Sequence, residues 1–493
     1  MQQGGLWGSA TVVISPEAHL YASPGILSYI YFVIQKISAY CCLHFLIWIT
    51  SPTTGMHNAN QEEHRITQWL RQSSGLTFAL YTSLAAFCTY ACIFAVRKTF
   101  GAGIYEGLTF WGADFKVWMV ISQAVGYMIS KFIGIKVVSE SGSDNRGRGI
   151  FIALTFAMIA LLGFGLAPAP YNLVFMFLNG LPLGMVWGLM FGYLEGRKFT
   201  EVLGASLSVS FIFASGFAKT VASYVMVDWA VSEMWMPFVS GLIFYVPMLL
   251  FLWLLDKIPA PNAEDEQLRT KRAPMKGKDR IRFALTFGPG LVLLVLTYTM
   301  LTIFRDMRDN FAADIWVSLG YGDKPAIFTA TEVPVTIVVL VVIGSLMVIK
   351  NNYQAMIINH LIVLFGMVLV GFSTLAFEKQ MISPPVWMVL VGMGLYFGYI
   401  QFNSIFFDRI IAAFRYVSTV GFLIYLADSI GYVGSMGVLI YRSFGKGEMS
   451  WLNFFMSTGY IISIAGSLLI LVSLYYFTGK FRSWGTAGQG QAI

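Results

Sequence analysis

Long apolar runs separated by short polar turns dominate the chain. From Leu76 onward they fall at roughly 76–102, 115–138, 149–168, 171–195, 201–227 and 233–255, each long enough to cross a hydrocarbon core of about 30 Å as a helix. The segment from Asp256 to Arg282 then breaks the pattern with prolines, an acidic cluster (Glu264, Asp265, Glu266) and a basic cluster between Arg269 and Arg282, which reads as a solvated linker. Six more runs follow at roughly 283–311, 326–349, 354–376, 384–408, 416–441 and 450–478, and residues 479–493 form a polar tail. The pattern predicts an all-α integral membrane protein of twelve helices in two six-helix lobes, 76–255 and 283–478, joined by the linker 256–282.

Residues 1–75 form an N-terminal extension. Within it, Ile26–Ile49 is an apolar run of spanning length with Lys36 near its middle and neither a basic leader nor a cleavage pattern. Three readings stand: an extra transmembrane helix, an amphipathic surface segment, or upstream sequence from a misplaced start with Met56 as the true initiator. His57–Ser74 reads as a polar arm leading into the first long helix.

Composition agrees with the membrane reading. The 493 residues are 57% hydrophobic and 12% charged, and mean hydropathy is +0.69. The formal charge of +7 does not point to nucleic acid, because the basic residues sit in short segments between apolar runs. Arg146 and Arg148, Arg197 and Lys198, Lys350, Arg409 and Arg415, Lys480 and Arg482, and the linker all fall on one side, which predicts that side and both ends of the twelve-helix body to be cytoplasmic, in a cell (inner) membrane. The four cysteines, Cys41, Cys42, Cys88 and Cys92, read as small apolar residues. Cys41 and Cys42 with His44 lack the second half of a metal site, so no metal and no cofactor is expected.

Charges inside the runs single out candidate chemistry. Tyr90–Phe100 places Arg97 and Lys98 in an apolar helix, and Tyr298–Arg305 repeats the device with a tyrosine seven residues before an arginine. An ionisable side chain at bilayer depth costs between about 2.5 and 17 kcal/mol, so it usually faces a wet cavity and binds something. Seven residues is about two helical turns, so Tyr90 and Arg97 share a face, as do Tyr298, Thr302 and Arg305. Two guanidiniums in fork geometry suit an anion with two or more oxygens; the competing reading is that both snorkel into water at the membrane boundary. Asp309, four residues after Arg305, is a local partner for it. Lys98 points about 100° away from Arg97, toward lipid headgroups or a neighbouring helix. Lys131 shares a face with Tyr127 and Gln123 and is read either as cavity-lining or as snorkelling.

Lys219, Glu332, His360 and Asp428 are further ionisable groups inside runs, candidates for coupling or charge balance. Glu195 with Arg197, and Asp408 with Arg409, recur at the cytoplasmic ends of the fourth helix of each lobe and form a candidate cytoplasmic gate. Gly180, Gly184, Gly188, Gly192 and Gly196 make a stripe suited to close helix packing. Two lobes about a midplane site is the plan of a secondary transporter. An enzyme is disfavoured, since no nucleophile with its base, paired carboxylates or phosphate-cradling glycine loop is visible.

The Tyr90–Phe100 segment, the stretch GYMISKFIGIKVVSE at Gly126–Glu140 with Lys131, and Arg305 together resemble the organophosphate:phosphate antiporter branch of the major facilitator superfamily, over about Leu76–Phe477. The resemblance implies that Arg97 and Arg305 clamp a substrate phosphate, that Lys131 attracts it, and that Tyr90, Tyr127 and Tyr298 line the site. The chain departs from the branch in three places. The fifth helix offers Lys219 where the branch has a histidine, the seventh helix continues Arg305, Asp306, Met307, Arg308, Asp309, and SESGSDNRGRG replaces the usual loop signature between the second and third helices. The expected activity is alternating-access transport of a small organic or phosphorylated anion, in exchange for phosphate, by a monomer whose other partner is membrane lipid. Proton-coupled symport or efflux of another solute, and a transporter-like receptor, are the alternatives.

Overall fold

The computed structural model describes residues 64–140, 146–194, 197, 200–260, 277–346, 348–414, 420–445 and 449–488. Residues 1–63 of the extension with the Ile26–Ile49 run, most of the linker, Cys41, Cys42, His44 and Glu195 lie outside these residues.

The first lobe contains α1 (Arg65–Gln72), α2 (Gly75–Lys98), a hairpin of β1 (Thr109–Phe110) and β2 (Ala113–Asp114), α3 (Phe115–Glu140), α4 (Arg146–Leu166), α5 (Leu173–Leu183), α6 (Val186–Leu194), α7 (Thr200–Val227) and α8 (Met236–Asp256). The second contains α9 (Gly277–Asn310), α10 (Ala312–Ser318), α11 (Ile327–Leu346), α12 (Asn352–Glu378), α13 (Pro384–Ser404), α14 (Phe406–Ala413), α15 (Val420–Gly445), α16 (Trp451–Ile461) and α17 (Ser467–Gly488). Among the described residues ten spans are long and apolar enough to cross a membrane, and α3 and α15 supply the other two long helices. The chain is a multi-pass membrane protein with the two-lobed major facilitator fold.

Several boundaries moved for identifiable reasons. The run at 171–195 is broken after Leu183, where Pro182 cannot donate to the helical ladder. The run at 384–408 stops at Ser404, with Ile405 capping it and α14 starting afresh. The linker is shorter than its composition suggests, because α9 already begins at Gly277. The polar arm contains α1, an amphipathic helix whose buried residue is Leu70. Thr67 on α1 donates to the Lys257 carbonyl at 2.9 Å, which ties the arm to the end of α8. Tyr81 on α2 donates to the Leu254 carbonyl at 3.0 Å, so α2 starts where α8 ends. We call this the linker side, and the side of the hairpin and the C-terminus of α2 the far side.

The glycine stripe serves packing. A Cβ at Gly180 would lie 2.2 Å from the Gln123 carbonyl oxygen, and one at Gly184 would lie 2.3 Å from that of Tyr127, so α5 presses directly on the α3 backbone. This contact positions the face of α3 that bears Gln123, Tyr127 and Lys131. Gly180→Val is expected to destabilise the protein by about 1–3 kcal/mol through overpacking, read as a lower melting temperature in detergent. An unchanged melt would mean that the two helices part without penalty.

The lobes meet through pseudo-symmetric pairs: α7 against α11 and α13, and α3 against α15. Two buried apolar clusters belong to the first lobe, the larger of which also takes in Tyr432, and a third fills the second lobe and reaches α3 and α7. Arg97, Lys98, Lys131, Lys219 and Arg305 gather along the lobe interface.

Candidate functional site

Arg97 occupies the last turn of α2 and is buried, with 7% of its surface exposed. Its backbone carbonyl accepts from Gln123 Nε2 at 2.8 Å, and the same amide donates to Asn179 Oδ1 at 2.8 Å. These bonds lock α2, α3 and α5 together at this depth. The guanidinium carbon sits 3.6 Å from the centre of the Tyr127 ring. Stacking satisfies the flat face of a guanidinium while leaving its N–H edge unspent. Among the described residues Arg97 has no ion pair, and its Nε has no hydrogen-bond partner.

Arg305 approaches from α9 in the other lobe and lines the same cavity. Its guanidinium pairs with Asp306, donates to the hydroxyl of Tyr399, and reaches that of Tyr432 at 3.4 Å. The pairing with Asp309 that the four-residue spacing suggests does not form, because Asp309 is turned toward the first lobe. Lys131 on α3 pairs with Asp428 on α15 across the interface, and Tyr298 donates to the other oxygen of Asp428. Its ammonium lies 5.2 Å from the Tyr127 ring centre and 5.3 Å from that of Tyr432. The snorkelling readings of Arg97, Arg305 and Lys131 therefore fail: all three turn inward on a shared hollow.

That hollow has a volume of about 50 Å³, room for a few waters or a small oxyanion. Its charged lining is Arg97, Lys131, Arg305 and Asp428; Tyr90, Phe94, Tyr127, Trp187, Phe211, Tyr399 and Tyr432 supply its aromatic wall. Sequence reasoning missed Tyr399, Tyr432, Asn403 and Trp187. A signal existed for Tyr432, which lies one helical turn beyond Asp428, but a chain with 24 tyrosines hides it.

Lys98 does not face lipid. It is 5% exposed, donates to Asn310 Oδ1 at 2.6 Å and pairs with Asp309 at 3.1 Å. Lys219 pairs with the other oxygen of Asp309 at 2.6 Å and with Ser215 Oγ at 2.6 Å, away from the cavity. Glu332 pairs with Arg308 inside the second lobe. His360 is buried in the core of that lobe, bonded to the Met356 carbonyl and Ser473 and packed on Phe406. Of the four candidates for coupling or charge balance, only Asp428 lines the cavity. On the linker side Arg197 donates to the Tyr193 and Pro259 carbonyls at 2.9 and 2.6 Å, and Arg409 to Asn352 Oδ1 at 2.8 Å, all within their own lobes. Among the described residues, further ion pairs between lobes lie on the far side: the buried Asp309 with Lys98 and Lys219, Lys116 with Asp314 at 2.6 Å, and the half-exposed Asp114 with Arg442 at 3.1 Å.

Comparison with known proteins supports the architecture. A family model described as "Family of unknown function (DUF5690)" matches residues 99–480. No curated protein matches the sequence. Among solved structures, the chain is similar to a D-xylose–proton symporter, with a TM-score of 0.56 at 15% identity over 81% of this chain and 97% of that one. It is also similar to a peptide transporter, POT, bound to alafosfalin, with a TM-score of 0.56 at 13% identity over 86% and 99% of the two chains. A third likeness is to the nucleoside transporter NupG, with a TM-score of 0.50 at 12% identity over 82% and 99%. At these identities the likeness establishes the fold.

Proposed function

Starting from a chain that belongs to the DUF5690 family and has the major facilitator fold, we propose that it is a secondary transporter for a small organic or phosphorylated anion. The observation that carries this reading is Arg97, a buried guanidinium without a carboxylate partner among the described residues, on the wall of a cavity that Arg305 enters from the opposite lobe. A desolvated charge is expensive unless paired, and an incoming anion is the partner that the fold leaves out. Arg305 and Lys131 hold carboxylates that an anion can replace in part, so binding and rearrangement of the lobe interface are linked. Differential affinity for the two states then drives alternating access.

The far-side ion pairs identify this conformation as closed on the far side. By the positive-inside rule the basic loops favour a cytoplasmic linker side in a cell membrane. Exchange against inorganic phosphate, as in the organophosphate:phosphate branch, is the simplest coupling, since the same cations can hold either ligand. Proton-coupled symport is the second reading; it is favoured by Asp428, a buried acid whose cationic partner an incoming anion can draw away.

The test is uptake into liposomes loaded with phosphate, using the purified full chain and a panel of carboxylates, phosphate monoesters and neutral sugars. We expect uptake of at least one anion class and none of the sugars, with at least a tenfold loss in Arg305→Ala. Transport of neutral or cationic solutes only, or transport untouched by that substitution, refutes an anion carrier.

A further inference from the structure

Apolar and charged groups are not spread evenly along the hollow. α2 runs from the linker side toward the far side, so Phe94, about one turn before Arg97, lies on the linker side of the guanidinium. α15 runs the same way, because Arg442 near its end pairs with Asp114 of the hairpin, and Ile424 therefore lies about one turn to the linker side of Asp428. Ser208 and Phe211 on α7 precede Lys219, the far-side partner of Asp309, by about three and two turns. Phe94, Trp187, Phe211 and Ile424 are all half-buried and line the hollow. Phe94 stacks on Phe211 with ring centres 5.9 Å apart, and Phe211 meets Tyr399 of the other lobe edge-on at 5.9 Å. This wall offers ring faces and edges to a flat apolar group.

The tyrosine hydroxyls belong to the cations. Tyr90 and Tyr127 face Arg97 and Lys131, and Tyr399 and Tyr432 accept from Arg305. Beside the apolar wall, the other neutral polar side chains among the described lining residues are Ser208 and Asn403. Asn403 gives its amide hydrogens to the Tyr298 hydroxyl and the Tyr399 carbonyl, each at 3.1 Å. One hydroxyl and one side-chain carbonyl cannot match the several hydroxyls of a sugar phosphate, and a hydroxyl buried without a partner is costly.

Charge sets a second limit. Lys131 is matched by Asp428 and Arg305 by Asp306, so among the described residues the uncompensated charge on the lining is that of Arg97. The surplus of Lys98 and Lys219 over Asp309 lies outside the lining. One negative charge neutralises the hollow, and a second would be buried without a partner.

We propose that the substrate is an organic monoanion with an apolar ring, an aromatic or alicyclic monocarboxylate, in preference to a sugar phosphate. The inference rests on the anion-carrier reading and narrows it. The hollow of about 50 Å³ takes the carboxylate beside Arg97, and the ring follows along Phe94, Trp187 and Phe211 as the linker side opens, the movement that alternating access requires.

The experiment is ligand-dependent melting of the purified full chain in detergent at neutral pH and constant ionic strength, titrating acetate, benzoate, phthalate and glucose 6-phosphate. These probes separate ring from charge. Benzoate is expected to half-saturate at a concentration at least about tenfold below each of the others, since burying a ring adds apolar area and a second charge finds no partner. Arg97→Ala is expected to abolish the saturable benzoate response, which distinguishes binding from partition into detergent. Phe211→Ala is expected to weaken benzoate about fivefold and to leave acetate unchanged. Stronger responses to phthalate or glucose 6-phosphate, benzoate no better than acetate, or a benzoate response that survives Arg97→Ala overturn the inference in proteins that keep Phe211. An anion class other than monocarboxylates that is taken up by the liposomes leaves the carrier reading standing while this one falls; no response and no uptake with any anion removes both.

Discussion

Replacing Arg97 with alanine is expected to reduce affinity for the transported anion by between about a hundredfold and ten-thousandfold, since each hydrogen bond to a charged group contributes about 1.5–3 kcal/mol and a guanidinium can supply two. The same substitution is expected to leave the melting temperature unchanged or to raise it. Arg97 has no carboxylate to leave behind among the described residues, so its removal deletes a desolvated charge without creating another. Arg305→Ala should behave oppositely in stability, because it strands Asp306. Arg97→Lys keeps the charge but loses the fork and the stack on Tyr127, and at least a tenfold loss of affinity is expected. Ligand-dependent melting and direct binding on the three variants check all of this. A large loss of stability in Arg97→Ala would show that the guanidinium holds the fold together and is not waiting for a ligand.

Asp309→Asn should produce the largest stability change in the molecule. The carboxylate receives Lys98 from α2, Lys219 from α7 and the Ser215 hydroxyl, and it sits on α9 in the other lobe. Neutralising it leaves two buried ammonium groups without their acid, and breaking a buried pair in this way costs about 3–5 kcal/mol. Two readouts separate a latch from a merely structural cluster. The double variant Asp309→Asn with Lys219→Met should regain part of the lost stability, because one stranded charge is gone. A cysteine introduced at Ala102, 5% exposed in this far-side-closed conformation, should react faster with a membrane-impermeant thiol reagent in the Asp309→Asn background. If reactivity at position 102 is unchanged while stability falls, Asp309 supports the fold but does not hold the far side shut.

The ion pairs show how far a sequence can be read. Arg97 and Arg305 stand out because a cation in an apolar run is rare, and their matched depth follows from counting residues along two similar helices. Their partners do not stand out. Lys131 meets Asp428 across 297 positions of sequence, whereas the local rule favoured Arg305 with Asp309. Along an exposed helix surface the four-residue spacing is worth a few tenths of a kcal/mol, and a buried cation from another helix outbids it easily. Lys98 shows the same limit: an angle of about 100° from Arg97 takes it away from one cavity and leaves lipid headgroups and a neighbouring helix both open, and only packing reveals that Asp309 and Asn310 of α9 stand there.

The long apolar helices, their two-lobed order and the presence of cations within them were determined by the chain alone, because a bilayer of fixed thickness converts apolar length directly into structure. Which helices touch, where Pro182 and Ile405 break a run, and which acid neutralises which base were decided by the tertiary fold. Those outcomes depend on distances between residues far apart in the chain, and neither period nor composition encodes them. Arg97 joins the two levels: its oddity is visible in one helix, but its lack of a carboxylate partner among the described residues emerges only when both lobes are in place.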